Sequence, residues 1–336
     1  MGLAARPLEQ DAPGRFRHMI HDEVDKWVDK IIDEVFVDGK EPTLMELSQL
    51  FCETKREFFG ACLEDVIPSR EEIAKRSQEV DKAAWQPVLV VASDGAHVPT
   101  RRKAKRDEKR GKGRWQEAKG FRIYLLGKDR IVHVASWHQI QNEEQFGDDL
   151  LLLLVASRIP QDDLRIGLLG DGADWLWKHM TACFPKGRQI LDYFHCAEHI
   201  HKVGRLQYGE GSQKCLEWVE STLTRLFYAE VDNVIWGLQR MKPKDDLAKE
   251  EIRKLIGYLD NNRERIHYRG DRIGGYPIGS GGIESANKFI SHTRMKRSGA
   301  WWVKETGNEM LAIRCAIYNG TYDQVFDKYK KDQLSA

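Results

Sequence analysis

The sequence predicts an α/β protein whose mixed sheet carries helices on both faces and is interrupted by an all-helical insertion. Three observations predict it. The run at 87–95, PVLVVASDG, is continuously apolar and ends in a turn pair, as a strand buried on both faces does. Two further strand-like runs follow at 120–126 (GFRIYLL) and 130–137 (RIVHVASW). Beyond them helix and strand patterns alternate until about residue 194, after which only helical periodicity remains.

Taken in order, residues 1–85 read as a helical N-terminal region. It holds a mixed-charge amphipathic stretch near 15–37 and two capping boxes, Thr43-x-x-Glu46 and, behind Pro68, Ser69-x-x-Glu72. After the three strands come a leucine-rich helix at 143–158, a buried strand at 165–170 (RIGLLG), a helix at 173–184 and a short strand at 189–194 (QILDYF). The order β-β-β-α-β-α-β is that of an RNase H-like core, and residues 86–320 are assigned to it. The helical stretch at about 197–275 is read as an all-α insertion, because a further helix starting near Ile283 supplies an element the core still lacks. Residues 321–336 form a C-terminal tail.

Charge and cysteine usage narrow the class. The 53 Lys and Arg nearly cancel the 52 Asp and Glu, so any affinity for nucleic acid must come from their distribution. The six cysteines show no C-x-x-C pair or regular spacing, which argues against a disulfide framework or a structural zinc site and for reduced thiols in a cytosolic protein. The N-terminus lacks the apolar stretch of a secretory signal, and the longest apolar run, 150–156, is too short to cross a bilayer. No membrane partner is expected.

Three carboxylates are candidates for chemistry. Asp94 in Ser93-Asp94-Gly95 is expected at the end of the first buried strand, and Asp171 in Gly170-Asp171-Gly172 at the end of the fourth. Strand ends of this kind form the usual ligand crevice of α/β sheets, and two carboxylates close together there repel unless a divalent cation lies between them. Asp-Gly is equally a common turn pair, so it is the joint placement that carries the reading. Glu284 follows the Gly-rich turn 279–282 and opens a helix, where it would complete a three-carboxylate site; a first-turn glutamate complementing the helix dipole is the plainer account. Mg²⁺, or Mn²⁺ in its place, is the expected cofactor of such an oxygen-only set.

In this order, SDG, GDGADW, LDYFH and GSGGIESANK, followed by RMKRSGAWW and MLAIR, resemble bacterial insertion-sequence transposases of the Kra type, relatives of the Mutator-like enzymes. The resemblance spans roughly residues 87–320. It implies a DDE transposase that cleaves transposon-end DNA and joins it to target DNA, with Asp94, Asp171 and Glu284 matching the catalytic, metal-binding triad. Asp192-Tyr193-Phe194-His195 matches the family's D/C-x-x-H element, which adds His195 to the catalytic set. The implied partner is DNA, on which two ends must be paired, so a homodimer or larger assembly is expected, in the bacterial cytoplasm at the nucleoid.

The segment 101–114, RRKAKRDEKRGKGR, holds nine basic residues against two acidic ones at the tip linking the first two strands. Arg101, Arg102, Lys103, Lys105, Arg106, Arg110, Lys112 and Arg114 are therefore candidate phosphate contacts, although a solvated hairpin tip would look the same. Arg294, Lys296 and Arg297, near Trp301 and Trp302, are further candidates; the tryptophans could stack on an unpaired base or simply pack. Two competing functions are weighed. His195-x-x-Glu198-His199 fits an inverted zinc-peptidase motif, but that reading leaves Asp94 and Asp171 without roles. A transposase-derived DNA-binding protein without catalysis is the other, and the intact carboxylates argue against it.

Overall fold

The computed structural model describes residues 63–78, 87–102, 113–127, 130–157, 164–297, 299–325 and 327. The amphipathic stretch near 15–37 and the capping box at Thr43 lie outside them. Short helices α1 (Leu63–Val66) and α2 (Arg70–Gln78) come first; α2 opens as its sequence requires, with the Glu72 amide donating to Ser69 Oγ at 3.2 Å. Arg76 of α2 then donates to the Asn319 carbonyl oxygen at 2.9 Å, so this segment lies on the core rather than apart from it.

Five strands form one mixed sheet: β1 (Val88–Thr100), β2 (Arg114–Leu126), β3 (Ile131–Ile140), β4 (Arg165–Gly170) and β5 (Arg188–Leu191). Their spatial order is β3-β2-β1-β4-β5. β1, β2 and β3 pair antiparallel, whereas β4 runs parallel to β1 and β5 parallel to β4. The parallel crossovers need a helix each, and α3 (Glu143–Ser157) and α4 (Asp174–Cys183) supply them. Burial on both faces explains the unbroken apolar run of β1: Val88, Leu89, Val90, Val91 and Ala92 are all buried.

Several strand boundaries differ from the sequence expectation, with β2 starting at Arg114 and β3 running on to Ile140. β1 does not stop at Asp94 but continues to Thr100, paired with β2 through Thr100↔Arg114. Its continuation is held by the hairpin alone, because β4 pairs only as far as Ala92↔Leu169. β5 ends at Leu191 instead of residue 194, because the Asp192 side chain caps α5 (Tyr193–Tyr208) and turns the chain into a helix at once.

The insertion is all-helical, as its periodicity predicts. α5 leads into α6 (Gln213–Phe227), α7 (Val231–Arg240) and α8 (Asp246–Asn261), followed by the 3₁₀ turn Arg263–Arg265 and α9 (Tyr268–Ile273). α8 buries Ala248, Ile252, Leu255 and Leu259, spaced four, three and four residues apart, which lays one apolar stripe against α5. The chain returns to the core as α10 (Gly281–Asn287), passes through a π-helical turn, Lys288–His292, and ends in α11 (Lys304–Asn319), packed on β3. Asn319 locks this last helix to the rest: its Oδ1 accepts from the Ser136 amide at 2.8 Å, and its Nδ2 donates to the carbonyl oxygens of Val66 (2.8 Å) and Ser136 (2.9 Å). No helix among the described residues is long and apolar enough to cross a membrane. The four cysteines there, Cys183, Cys196, Cys215 and Cys315, are buried and free.

Candidate active site

The site begins where β1 and β4 part. β4 ends at Gly170 and the chain turns away through Asp171 and Gly172, whose φ of 102° favours glycine. A Cβ on Gly172 would also come within 2.9 Å of the Tyr258 ring, so the turn is closed to side chains on both counts. Past Ala92 the flank of β1 no longer pairs with β4, and Asp94 lies in that unpaired part, at the height of the Asp171 turn. Strand divergence thus brings two carboxylates to one crevice.

Both carboxylates are held by neutral donors. Asp94 Oδ1 accepts from the Gly95 amide at 2.7 Å and Oδ2 from Asn287 Nδ2 at 2.7 Å. Asp171 Oδ1 accepts from the Ala173 amide at 2.9 Å, while its carbonyl oxygen accepts from Tyr258 Oη at 2.9 Å. Burial pushes the Asp94 carboxyl up to about 6, and the charges of Asp171 and Asp192 add to this; the Gly95 amide and His195 act in the opposite sense. Burial likewise holds the Tyr258 hydroxyl well above the usual phenol range, with Cys196 and Asp171 reinforcing it, so Tyr258 acts as a donor.

Asp192 organises the ground beneath them. It is fully buried; Oδ1 accepts from the amides of Phe194 (2.6 Å) and His195 (3.0 Å), and Oδ2 from the Ser280 amide at 2.6 Å. One side chain therefore caps α5 and pins the Gly-rich turn that precedes Glu284. Within the Asp192-x-x-His195 element the bond runs from the His195 backbone amide, not from its ring, to Asp192. The His195 ring faces Glu198, with Nδ1 3.6 Å from Oε2, and is close enough to Asp94 to favour its ionised form.

Glu284 stands on the first turn of α10, exposed, with Oε1 accepting from Ser280 Oγ at 2.7 Å. Asn287, one turn further along the same helix face, is the α10 residue that touches Asp94. Among the described residues no group of three or more His, Cys, Asp or Glu side chains converges to hold a metal ion. Asp94 lies within electrostatic reach of Asp171, Asp192 and His195, whereas Glu284 is exposed and bonded to Ser280. The His199 ring packs on Tyr258 at 4.4 Å.

The basic candidates divide. Arg101 is half-buried and its amide donates to the Trp302 carbonyl oxygen at 2.8 Å, whereas Arg102 and Arg114 are exposed at the end of the β1–β2 hairpin. Lys103, Lys105, Arg106, Arg110 and Lys112 lie outside the described residues. Arg294, Lys296 and Arg297 are exposed on the turn after α10; Lys296 sits close enough to Asp94 for the two charges to interact, although burial lowers its ammonium overall. Trp302 packs, with Nε1 donating to the Met295 carbonyl oxygen at 3.1 Å, while Trp301 is exposed beside Trp115.

Sequence reasoning passed over Asn287 and Tyr258. Asn287 could have been found from its place one helical turn after Glu284. Tyr258 carries no such signal, because it reaches Asp171 from 87 residues away in the chain, on α8 of the insertion.

A mixed five-stranded sheet with a carboxylate pair at the divergence of its two central strands defines an α/β protein with an acidic crevice. The chain belongs to the uncharacterised protein family UPF0236, whose model matches residues 62–332. No curated protein matches it.

Proposed function

We propose that the protein is a DDE transposase of the Kra-type insertion-sequence class, with an RNase H-like core, cleaving transposon-end DNA and transferring the freed strand into target DNA. The observation that carries this reading is the meeting of Asp94 and Asp171 where β1 and β4 part. The strand order β3-β2-β1-β4-β5, three strands antiparallel and two parallel, supports the RNase H-like reading of the core.

The donor chemistry fits a divalent cation such as Mg²⁺ or Mn²⁺. The available ligands are hard carboxylate oxygens, and the mutual repulsion and burial that raise Asp94 are what a bound cation would offset. Asp94 and Asp171 would hold it, and Glu284, which in the structure accepts from Ser280 on the exposed side of α10, would have to leave that bond to serve as the third carboxylate. When bound, it supplies activation of water or a 3′-hydroxyl and stabilisation of the leaving oxygen. The chain's own groups do the rest. Asn287 fixes Asp94 Oδ2 and leaves Oδ1 turned toward the Gly95 amide. Tyr258 and the Ala173 amide fix the Asp171 turn. His195, on a helix start capped by Asp192, orients groups beside Asp94, and Lys296 with Arg294 and Arg297 offers phosphate contacts next to the carboxylates. Pairing two DNA ends calls for a homodimer or larger assembly on DNA, in the bacterial cytoplasm.

The test is cleavage and strand transfer on DNA carrying the element's own ends with Mg²⁺ or Mn²⁺, comparing wild type with Asp94→Asn, Asp171→Asn and Glu284→Gln. Metal-dependent activity lost at least 100-fold in all three folded variants is expected, on the order of the loss seen when a group stabilising the transition state is removed. Activity that survives all three, or that follows Zn²⁺ and His199 instead, would overturn the assignment.

A further inference from the structure

A cavity with a largely cationic wall lies between the insertion and β5. The 3₁₀ turn and α9 carry the run Arg263-Glu264-Arg265-Ile266-His267-Tyr268-Arg269. Its residues alternate. Ile266 and Tyr268 are buried in the core, while Arg265, His267 and Arg269 face a cavity of about 830 Å³ between the insertion and the outer strand β5. Arg188 of β5 and Tyr228 line the same cavity. Glu264 is the acidic residue in its wall and Asp271 behind it meets the charge of Arg188, so Arg265 and Arg269 carry the cationic excess.

The cations are set in place before any ligand arrives. Arg265 Nε donates to Gln189 Oε1 at 2.7 Å, its Nη1 donates to Asn262 Oδ1 at 3.0 Å, and its guanidinium lies 4.5 Å from the Trp177 ring. Arg188 is anchored by the buried Asp271. Arg269 is exposed, 5.5 Å from the ring of Tyr228, which is itself 55% exposed at the lip. The residue after Tyr228 is Ala229, the one non-glycine with positive φ (63°) among the described residues. Such a backbone is disfavoured for alanine and persists where its surroundings impose it; here it sets the aromatic lip.

A chain of contacts links the Asp171 turn to the wall of this cavity. Tyr258 holds the Asp171 carbonyl oxygen, and a Cβ on Gly172 would lie 3.1 Å from Asn262 Nδ2. Asn262 in turn accepts from Arg265. Tyr258, Asn262 and Arg265, one turn apart along the α8 end and the turn after it, therefore lead from Asp171 to the cationic wall. We infer that the Arg188, Arg265, His267 and Arg269 cleft binds the phosphodiester backbone of the DNA strand running on from the carboxylate site. This rests on the reading of the protein as a DNA-cleaving enzyme, and it assigns the insertion a part in holding that strand.

The experiment is fluorescence anisotropy of the full chain with a duplex carrying the element's end, in EDTA, across a salt series. Arg269→Glu and His267→Glu are compared with wild type, and each variant is melted to verify its fold. Cleavage with Mg²⁺ is measured in parallel. Each substitution is expected to weaken binding about tenfold or more, and Arg269→Glu to lower the salt slope by about one. Wild-type affinity and slope in both folded variants would overturn the inference while leaving cleavage, and so the transposase reading, intact. Weakened binding without any cleavage in the wild type would sink the transposase reading and keep the cleft. A wild type that binds no DNA would overturn both.

Discussion

At the scale of single residues the carboxylate that distinguishes this site is Asp94. Its folded-state carboxyl is raised to about 6 against an ordinary value near 3.8, so the folded protein holds that proton more tightly than the unfolded chain does. Stability from this group is fully present below the ordinary value and is lost as pH rises through about 6. A shift of about two units corresponds to about 3 kcal/mol as an upper bound, before partial solvent access is allowed for. In EDTA, Asp94→Asn should therefore melt higher than wild type at pH 7.5, and the gap should close as pH falls to 5. Saturating Mg²⁺ should narrow the gap at pH 7.5 from the wild-type side, since a cation bound to the native state stabilises it. A constant difference across pH would show that burial and the Asp171 charge do not act on Asp94 as described.

At the scale of elements the site depends on one cap. Asp192 joins the end of β5, the start of α5 and the turn before α10 through three amide donors, all received by a fully buried carboxylate. Asp192→Asn keeps the shape and one oxygen, but it sets an amide N–H₂ against an N–H now served by an oxygen, either that of Ser280 or those of the helix start. Leaving buried donors opposed costs about 1–3 kcal/mol, with Asp192→Ala costing more. Urea unfolding of Asp192→Asn should show that loss, and a midpoint unchanged from wild type would remove Asp192 from this role. The same element shows how far sequence reaches. Asp192-Tyr193-Phe194-His195 was legible as a unit, yet the direction of its hydrogen bonds was not. A cap and a histidine partner both place an acidic residue three positions before His195, and only the backbone turn after Leu191 separates them. The over-short reading of β1 has a related cause: Asp94-Gly95 resembles a turn, but pairing with β2 carries the strand through it to Thr100.

At the scale of the whole molecule, element order and the two aspartates were legible because buried strands and strand-end carboxylates leave local patterns. The convergence of Tyr258 and Asn262 on the Asp171 turn was not, because it is made by an insertion folding back over the sheet, as α11 also does. That packing also buries histidines that periodicity cannot single out. His138 is fully buried in the cross-strand row Asp94↔Gly120↔His138, over Gly120, where a Cβ would come within 2.2 Å of its ring. Burial lowers His138 to about 3, with His292 adding to it. Burial likewise lowers His133 to about 4 despite its bond to Asn319, and His179 to about 4 with Lys178 contributing. All three are neutral in the folded protein at pH 5 and protonated in the unfolded chain below about 6.5, so unfolding takes up protons there. Their stabilising contribution is present above pH 6.5 and is lost as pH falls toward 4, at up to about 1.4 kcal/mol per pH unit for each histidine. Asp94 opposes this loss over part of the window, but one carboxyl cannot balance three imidazoles. The urea midpoint in EDTA should fall from pH 7 to 4.5, most steeply between 6 and 4.5, with a slope corresponding to more than one proton taken up. A midpoint that stays level or rises over this interval would mean that these rings are solvated or paired in the folded protein, and that α11 does not pack over β3 as described.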